Sequence, residues 1–365
     1  MDRRQFLGLV GASAGAAVGV AGLTRTASET GATRTGDFLA GVSVDRPTVE
    51  TLDRFERWTG KRHAVVTQYA ALGQSDEEIA WTMSVLEALW ERGHVPMLVL
   101  EPTFGSEAAT PTTVSADVAA GDHDGRVDAW GDALTDWVRR GFGRPNRRLF
   151  VEFAPEMNGD WVKWGAPAGG STPEDYVEMF RRVRGRVMST GLDASDVQWV
   201  WGPNAGGRGG IPIPRYYPGD DAVDWAAVNG YNWWEWAGWF SPPEIYAKAF
   251  EQVRSVTDAP LAITEVACSS EVGGGNDPER KAAWIADFYD YVVAEDVRLV
   301  SWFEHAKETD WRVFDGVRGT DGATVGGETV RVYDAYKRVM DRESTLGAHP
   351  TDPRRLTDRE FRGAF

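Results

Sequence analysis

The chain has 365 residues and a net charge of −16, from 55 acidic against 39 basic side chains. That balance argues against nucleic acid as a partner, and the single cysteine, Cys268, excludes an internal disulfide. Only six of the basic residues are lysine; an acidic, lysine-poor chain suits a high-salt milieu, where the Debye length falls to about 3 Å at 1 M.

Residues 1–36 read as an export leader and tether. Arg3-Arg4-Gln5-Phe6-Leu7-Gly8 is a twin-arginine pair that opens a Gly/Ala-rich apolar run to Gly22. The run is too short and too weakly apolar for a stable membrane span. Twin-arginine export carries folded chains, which agrees with the lack of disulfides. The expected location is outside the cell or on its surface.

From residue 37 to residue 343, apolar strand-like runs alternate with amphipathic helical stretches. The strands are expected at Phe38–Val44, Ala64–Tyr69, Pro96–Glu101, Arg148–Ala154, Val197–Trp201, Ala226–Tyr231, Leu261–Glu265 and Leu299–Phe303. Helices are expected near Thr48–Trp58, Asp76–Arg92, Arg126–Arg140, Pro173–Ser189, Pro242–Val256, Pro278–Val293 and Val330–Arg342. Only the fifth round lacks a helix, having the Pro-rich stretch Ile211–Asp221 instead. Caps of the right kind precede several helices, at Ser75, Thr172-Pro173 and Asp277-Pro278. Eight strand–helix rounds predict an α/β fold, a single (β/α)₈ TIM barrel. A doubly wound sheet would show a Gly-rich phosphate loop after its first strand, and Gly41-Val42-Ser43-Val44 is not one. Residues 344–365 read as a polar extension.

In such barrels chemistry sits at the C-terminal ends of the strands. The third strand ends in Glu101, the fourth in Pro155-Glu156-Met157-Asn158 and the fifth in Trp201-Gly202-Pro203-Asn204. The sixth ends in Tyr231-Asn232-Trp233-Trp234, the seventh in Thr264-Glu265 and the eighth in Trp302-Phe303-Glu304-His305. Glycoside hydrolysis needs two carboxyl groups flanking the bond, about 5 Å apart in a retaining mechanism. Strands four and seven end at the same mouth of an eight-stranded barrel, so Glu156 and Glu265 are the candidate catalytic pair. Seventeen tryptophans are present. Trp58, Trp81, Trp90, Trp130, Trp137 and Trp284 lie on helices and read as core. The clusters Trp161/Trp164, Trp233/Trp234/Trp236/Trp239 and Trp302/Trp311 fall past strand ends, where flat rings would stack on sugars. The five histidines show no H-x-H or H-E-x-x-H spacing and no G-x-S-x-G elbow occurs, so neither a metal site nor any cofactor is expected.

Glu156-Met157-Asn158-Gly159-Asp160-Trp161, with Trp164-Gly165 after it, resembles the strand-four motif of glycoside hydrolase family 26, the β-mannanase family. Trp201 to Asn204, Tyr231-Asn232, Ile263-Thr264-Glu265, Trp302-Phe303, Lys307-Glu308 and Asp310-Trp311-Arg312 follow in the same order, so the resemblance spans Phe38 to about Lys337. It implies a retaining barrel hydrolase with Glu156 as acid/base and Glu265 as nucleophile, passing through a covalent glycosyl-enzyme. It implies that Tyr231 orients the nucleophile and that Trp161 and Trp302 line subsites beside the cleaved bond. By position, Asn204, Glu101, Trp164 and Trp233 are further cleft residues. Two positions depart from the family's mannanases, which usually carry His where this chain has Pro155 and Arg where it has Glu152; both would lie near the sugar. The expected substrate is a β-linked polysaccharide, with β-1,4-mannan first and mixed-linkage β-glucan or β-1,3-xylan as alternatives. A polysaccharide-binding relative without turnover is a competing reading, and a barrel lyase or isomerase ranks last. A monomer is expected.

Overall fold

A computed structural model describes residues 36–45, 49–140 and 145–365; the expected leader lies outside them. The chain runs β1 (Phe38–Val44), α1 (Val49–Thr59), β2 (Val65–Ala71), α2 (Asp76–Glu91), β3 (Val95–Glu101), α3 (Val114–Ala120), α4 (Asp124–Val138), β4 (Leu149–Phe153), α5 (Pro173–Met188) and β5 (Val197–Trp201). It continues with β6 (Trp225–Ala227), β7 (Gly230–Asn232), α6 (Trp234–Ala237), α7 (Pro242–Arg254), β8 (Leu261–Cys268), β9 (Glu271–Val272), β10 (Gly275–Asn276), α8 (Pro278–Ala294) and β11 (Leu299–Glu304). Last come β12 (Asp321–Val325), β13 (Glu328–Val332), α9 (Asp334–Met340), β14 (Thr345–Leu346) and α10 (Asp358–Phe361).

Parallel pairing passes from β1 through β2, β3, β4 and β5 to β6, then to β8 and β11, and β11 pairs back on β1. The barrel is therefore closed, and its sixth position is shared by β6 and β7, both paired with β8. Closure explains the composition of the strands. A strand covered by helices outside and side chains inside is buried on both faces and reads as a continuous apolar run; Leu149–Phe153 is buried at every residue, Glu152 included. The helices start where the caps predicted. Ser75 and Thr172 each form a reciprocal capping box with an acid three residues on, and Asp277 accepts from the Arg280 amide; Ser241, not among the expected caps, forms a further box with Glu244. As expected, β5 leads to β6 with only a 3₁₀ turn at Ile213–Tyr216.

The helix expected from Val330 begins instead at Asp334, because Glu328–Val332 forms an antiparallel hairpin with β12. Gly326 and Gly327, both at positive φ (63° and 88°), make its two-residue turn. Trp81, expected in the core, is 49% exposed on α2, whereas Trp58, Trp90, Trp130, Trp137 and Trp284 are buried.

Residues 344–365 are polar in sequence yet pack on the barrel's N-terminal end. There β14 pairs with β1, and the buried Arg148 guanidinium donates to the Leu356 and Thr357 carbonyls at 3.2 Å. Arg148 also lies 4.7 Å from the Phe361 ring, which meets Phe150 at 4.9 Å. Truncating a buried phenylalanine costs about 3 kcal/mol or more through lost burial and the cavity left behind. Phe361→Ala is therefore expected to lower unfolding free energy by about that amount, read from its urea midpoint.

Among the described residues no helix is long and apolar enough to cross a membrane.

Candidate active site

The C-terminal ends of the strands open on a cavity of about 600 Å³ whose lining includes Tyr69, Glu101, Pro155, Glu156, Tyr231, Glu265, Phe303 and His305. Glu156 and Glu265, predicted as a pair, thus share one cavity.

Glu265 owes its aim to an irregularity in its strand. Ile263 pairs with Val300 and Val266 with Trp302, so Thr264 and Glu265 together stand opposite Ser301. This β-bulge breaks the alternation that would send neighbouring side chains to opposite faces. Thr264 reaches Asn229 and Glu152, while Glu265 reaches two phenols: Tyr69 donates to Oε1 at 2.8 Å and Tyr231 donates to Oε2. The Glu265 backbone N–H is itself tied to Asn229 Oδ1 at 2.9 Å. Burial first, then the charge of Glu265, raises the Tyr69 phenol well above its ordinary range. Tyr69 therefore stays a proton donor to the carboxylate. Behind it, Ser43 Oγ donates to the Tyr69 hydroxyl at 3.3 Å and shares a 2.7 Å hydrogen bond with His305 Nε2. His305 Nδ1 pairs with Asp45 at 2.9 Å.

Glu156 is aimed by a different device. Ala154 and Glu156 both hold positive φ, 49° and 59°, a region that costs a side-chain-bearing residue about 1–2 kcal/mol and so needs external support. The Glu156 amide donates to the Gly202 carbonyl at 2.7 Å, and the Gly159 amide closes a turn on the Glu156 carbonyl at 2.9 Å. The twist presents a carboxyl that is 5% exposed to two donors, Asn204 Nδ2 at 2.8 Å on Oε1 and Trp161 Nε1 at 2.6 Å on Oε2. Asn204 is held in turn by Asn158, through reciprocal backbone–side-chain bonds of 2.7 and 2.8 Å.

Tyr231, Trp161 and Asn204 thus contact the carboxyl pair, and Glu101 lines the cavity. Trp233 lies edge-on to Trp311 at 5.5 Å, beside the Tyr231 ring. Three expected sugar-stacking rings, Trp302, Trp164 and Trp311, are buried instead. Trp302 is fully buried on the outer face of its strand, with Nε1 on the Trp311 carbonyl and its ring against Tyr336; strand alternation turns Phe303 into the cavity instead. Trp164 is also fully buried and braces the Glu156 turn by donating to the Pro155 carbonyl at 2.7 Å. Trp311 is 2% exposed and equally unavailable for stacking. Tyr69 was missed, although it closes the expected second strand as Tyr231, assigned through the family resemblance, closes the sixth. Ser43, a lone hydroxyl in an otherwise apolar first strand, was missed as well.

Residues 119–272 match the profile described as Glycosyl hydrolase family 26. Over 292 residues the chain is 25% identical to Endoglucanase H of Acetivibrio thermocellus, a match covering 76% of this chain and 29% of that protein. Over residues 119–272 the chain is similar to glycosyl hydrolase family 26. Solved family members share its fold. An endo-β-1,4-mannanase double mutant from Cellulomonas fimi superposes with a TM-score of 0.63 at 20% identity, covering 90% of this chain and 74% of that one. The catalytic domain of a family 26 endo-β-1,4-mannanase from Bacillus sp. JAMB-750 gives 0.63 at 16% identity, covering 85% and 87%.

In this barrel the two departures separate. Pro155 lines the cavity, as expected. Glu152 does not line the cavity: it is fully buried beneath the site, against Thr264, and no Cβ would fit at Gly202, where it would meet Glu152 Oε1 at 2.1 Å. Inward-facing barrel residues stack in layers, and Glu152 belongs to a layer below the carboxyl pair.

Proposed function

We propose that the protein is a retaining endo-hydrolase of β-linked polysaccharide, with Glu265 as nucleophile and Glu156 as acid/base. The observation that carries this reading is the unequal setting of two carboxyl groups in one cavity. Glu265 receives two phenol hydrogen bonds on separate oxygens, which favour an ionised nucleophile. Glu156 also receives two donors, an indole and an amide, but it is buried while Glu265 is part-exposed. Burial favours the neutral form, so Glu156 is the carboxyl set to carry and return a proton. In the first step Glu265 attacks the anomeric carbon while Glu156 protonates the departing oxygen. In the second, Glu156 takes a proton from water, which displaces Glu265 and releases the sugar with its anomeric configuration retained.

β-1,4-Mannan is the first substrate reading, supported by the endo-β-1,4-mannanases that share the fold. A β-1,4-linked or mixed-linkage glucan is the second. Pro155 in the cavity wall, in place of the mannanases' usual histidine, and the likeness to Endoglucanase H favour it. The twin-arginine leader and the acidic composition support action outside the cell in a salt-rich medium. Reducing-sugar release from galactomannan, glucomannan, mixed-linkage glucan, cellulose and β-1,3-xylan tests these readings, at millimolar and molar salt. Release from mannan, faster in molar salt, is the expected result. Release from glucans alone would replace the substrate, and binding without release from any polymer would leave only a binding role.

A further inference from the structure

Thr264 sits between two oxygen atoms. Its Oγ1 is 2.8 Å from Glu152 Oε1 and 2.7 Å from Asn229 Oδ1. A hydroxyl has one proton and can donate to only one of them. The Asn229 atom is fixed as oxygen, because it also accepts the Glu265 backbone N–H at 2.9 Å; a nitrogen there would face that N–H donor to donor. If Glu152 were a carboxylate, one of the two short contacts would be a bare meeting of lone pairs. A proton on Glu152 Oε1 resolves both. Glu152 then donates to Thr264, Thr264 donates to Asn229, and Asn229 holds the backbone of Glu265.

The surroundings agree. Glu152 is fully buried, with the Asn229 amide as the remaining polar group beside it; so few donors are tolerable for a neutral acid and costly for a carboxylate. The titratable groups facing it are Glu265 on β8, Glu156 after β4, Tyr69 on β2 and Tyr176 on α5, none of them a cation. Burial first, then the charge of Glu265, raises the Glu152 carboxyl well above its ordinary range. Gly202 leaves the space that the carboxyl occupies.

We propose that Glu152 is a neutral carboxylic acid and a positioning residue, whose proton completes a Glu152–Thr264–Asn229 chain that fixes the bulge carrying Glu265. Its effect on turnover rests on Glu265 being the nucleophile; its protonation does not. The chain gives the site an alkaline limit of its own. As pH rises through the raised pKa of Glu152, the donor is lost and a second negative charge appears under Glu265.

The test has one arm without substrate and one with it. In protein carrying ¹³C-labelled glutamate side chains, a carboxyl resonance that holds its protonated position through neutral pH is expected to vanish in Glu152→Gln. A Glu152 resonance at the carboxylate position at pH 7 would overturn the proposal whatever the enzyme cleaves. In kinetics, Glu152→Gln keeps a donor to Thr264 and Glu152→Leu does not. The Leu variant is expected to lose about ten-fold or more in kcat at little change in KM, since misplacing a reacting group costs rate rather than binding. The Gln variant is expected to recover most of that loss. Exchanging one neutral group for another should also leave the acidic limb of kcat/KM in place. Removing a carboxylate from beside Glu265 would move that limb down by about one pH unit. Such a shift, or a Gln variant as slow as the Leu variant, would contradict the proposal.

Discussion

Glu265→Ala is expected to lower kcat/KM on the natural polymer by at least about 10⁴-fold, a loss of roughly 5 kcal/mol of transition-state stabilisation. The size follows from what the side chain does. A nucleophile divides one difficult displacement into two easier ones, and neither half survives its removal. Its neighbours cannot substitute for it. Tyr69 and Tyr231 donate to the carboxylate and would face an empty space, while Glu152 lies a layer below, buried against Thr264. Added azide is expected to restore part of the rate on an aryl glycoside, because a small anion fits the space vacated by the carboxylate and attacks the same carbon. The rescued product would then be the α-glycosyl azide, formed by a single inversion, and proton NMR reads its configuration.

Glu156→Ala should give a different pattern. On polymer the leaving group is a poor one that needs a proton, and general acid catalysis is worth about 10²–10⁴-fold; a loss of about 10³-fold is expected. On a dinitrophenyl glycoside the departing phenolate needs no proton, so the first step should stay close to wild type. The second step still lacks its general base and slows. A burst of phenol followed by a slow steady state, with a lowered KM, is therefore expected by stopped-flow absorbance. Equal losses on polymer and on activated substrate would take the acid/base role away from Glu156. The support around this residue gives the contrast its value. Asn204 and Trp161 hold the carboxyl while Asn158 and Trp164 hold its turn, so truncation at Glu156 need not disturb the strained backbone beneath it.

Much of the barrel was legible because its strands are buried on both faces and separated by well-capped helices. Val197–Trp201 and Pro173–Met188 show both signals and stand where they were expected. The sixth strand was less clear. Two short pieces share its position, and Asn229 between them supplies polar contacts to Thr264 and Glu265. The hairpin at Asp321–Val332 was read in part as helix. Its alternation, with Val330 and Val332 buried and Arg331 exposed, is a period-two signal only five residues long. The two catalytic candidates were legible from their strand-end positions together with the need for a carboxyl pair and the family resemblance, since Glu101 and Glu304 also stand at strand ends. The misplaced rings at Trp302 and Trp164 show what such position leaves open. It locates a residue along the barrel axis but does not give the face on which the side chain lies, and a bulge such as that at Thr264–Glu265 shifts the alternation. Depth was equally hidden for Glu152. A position two residues before the end of the fourth-strand run Arg148–Ala154 reads as close to the sugar, yet one barrel layer is enough to separate a binding group from a buried one.

The most direct test of the account is mass spectrometry of the Glu156→Ala protein quenched during turnover of a dinitrophenyl β-glycoside. The account predicts a single glycosyl adduct on the peptide that contains Glu265, formed in step with the phenol burst. Phenol release with no adduct, or an adduct on any other carboxylate, would contradict it.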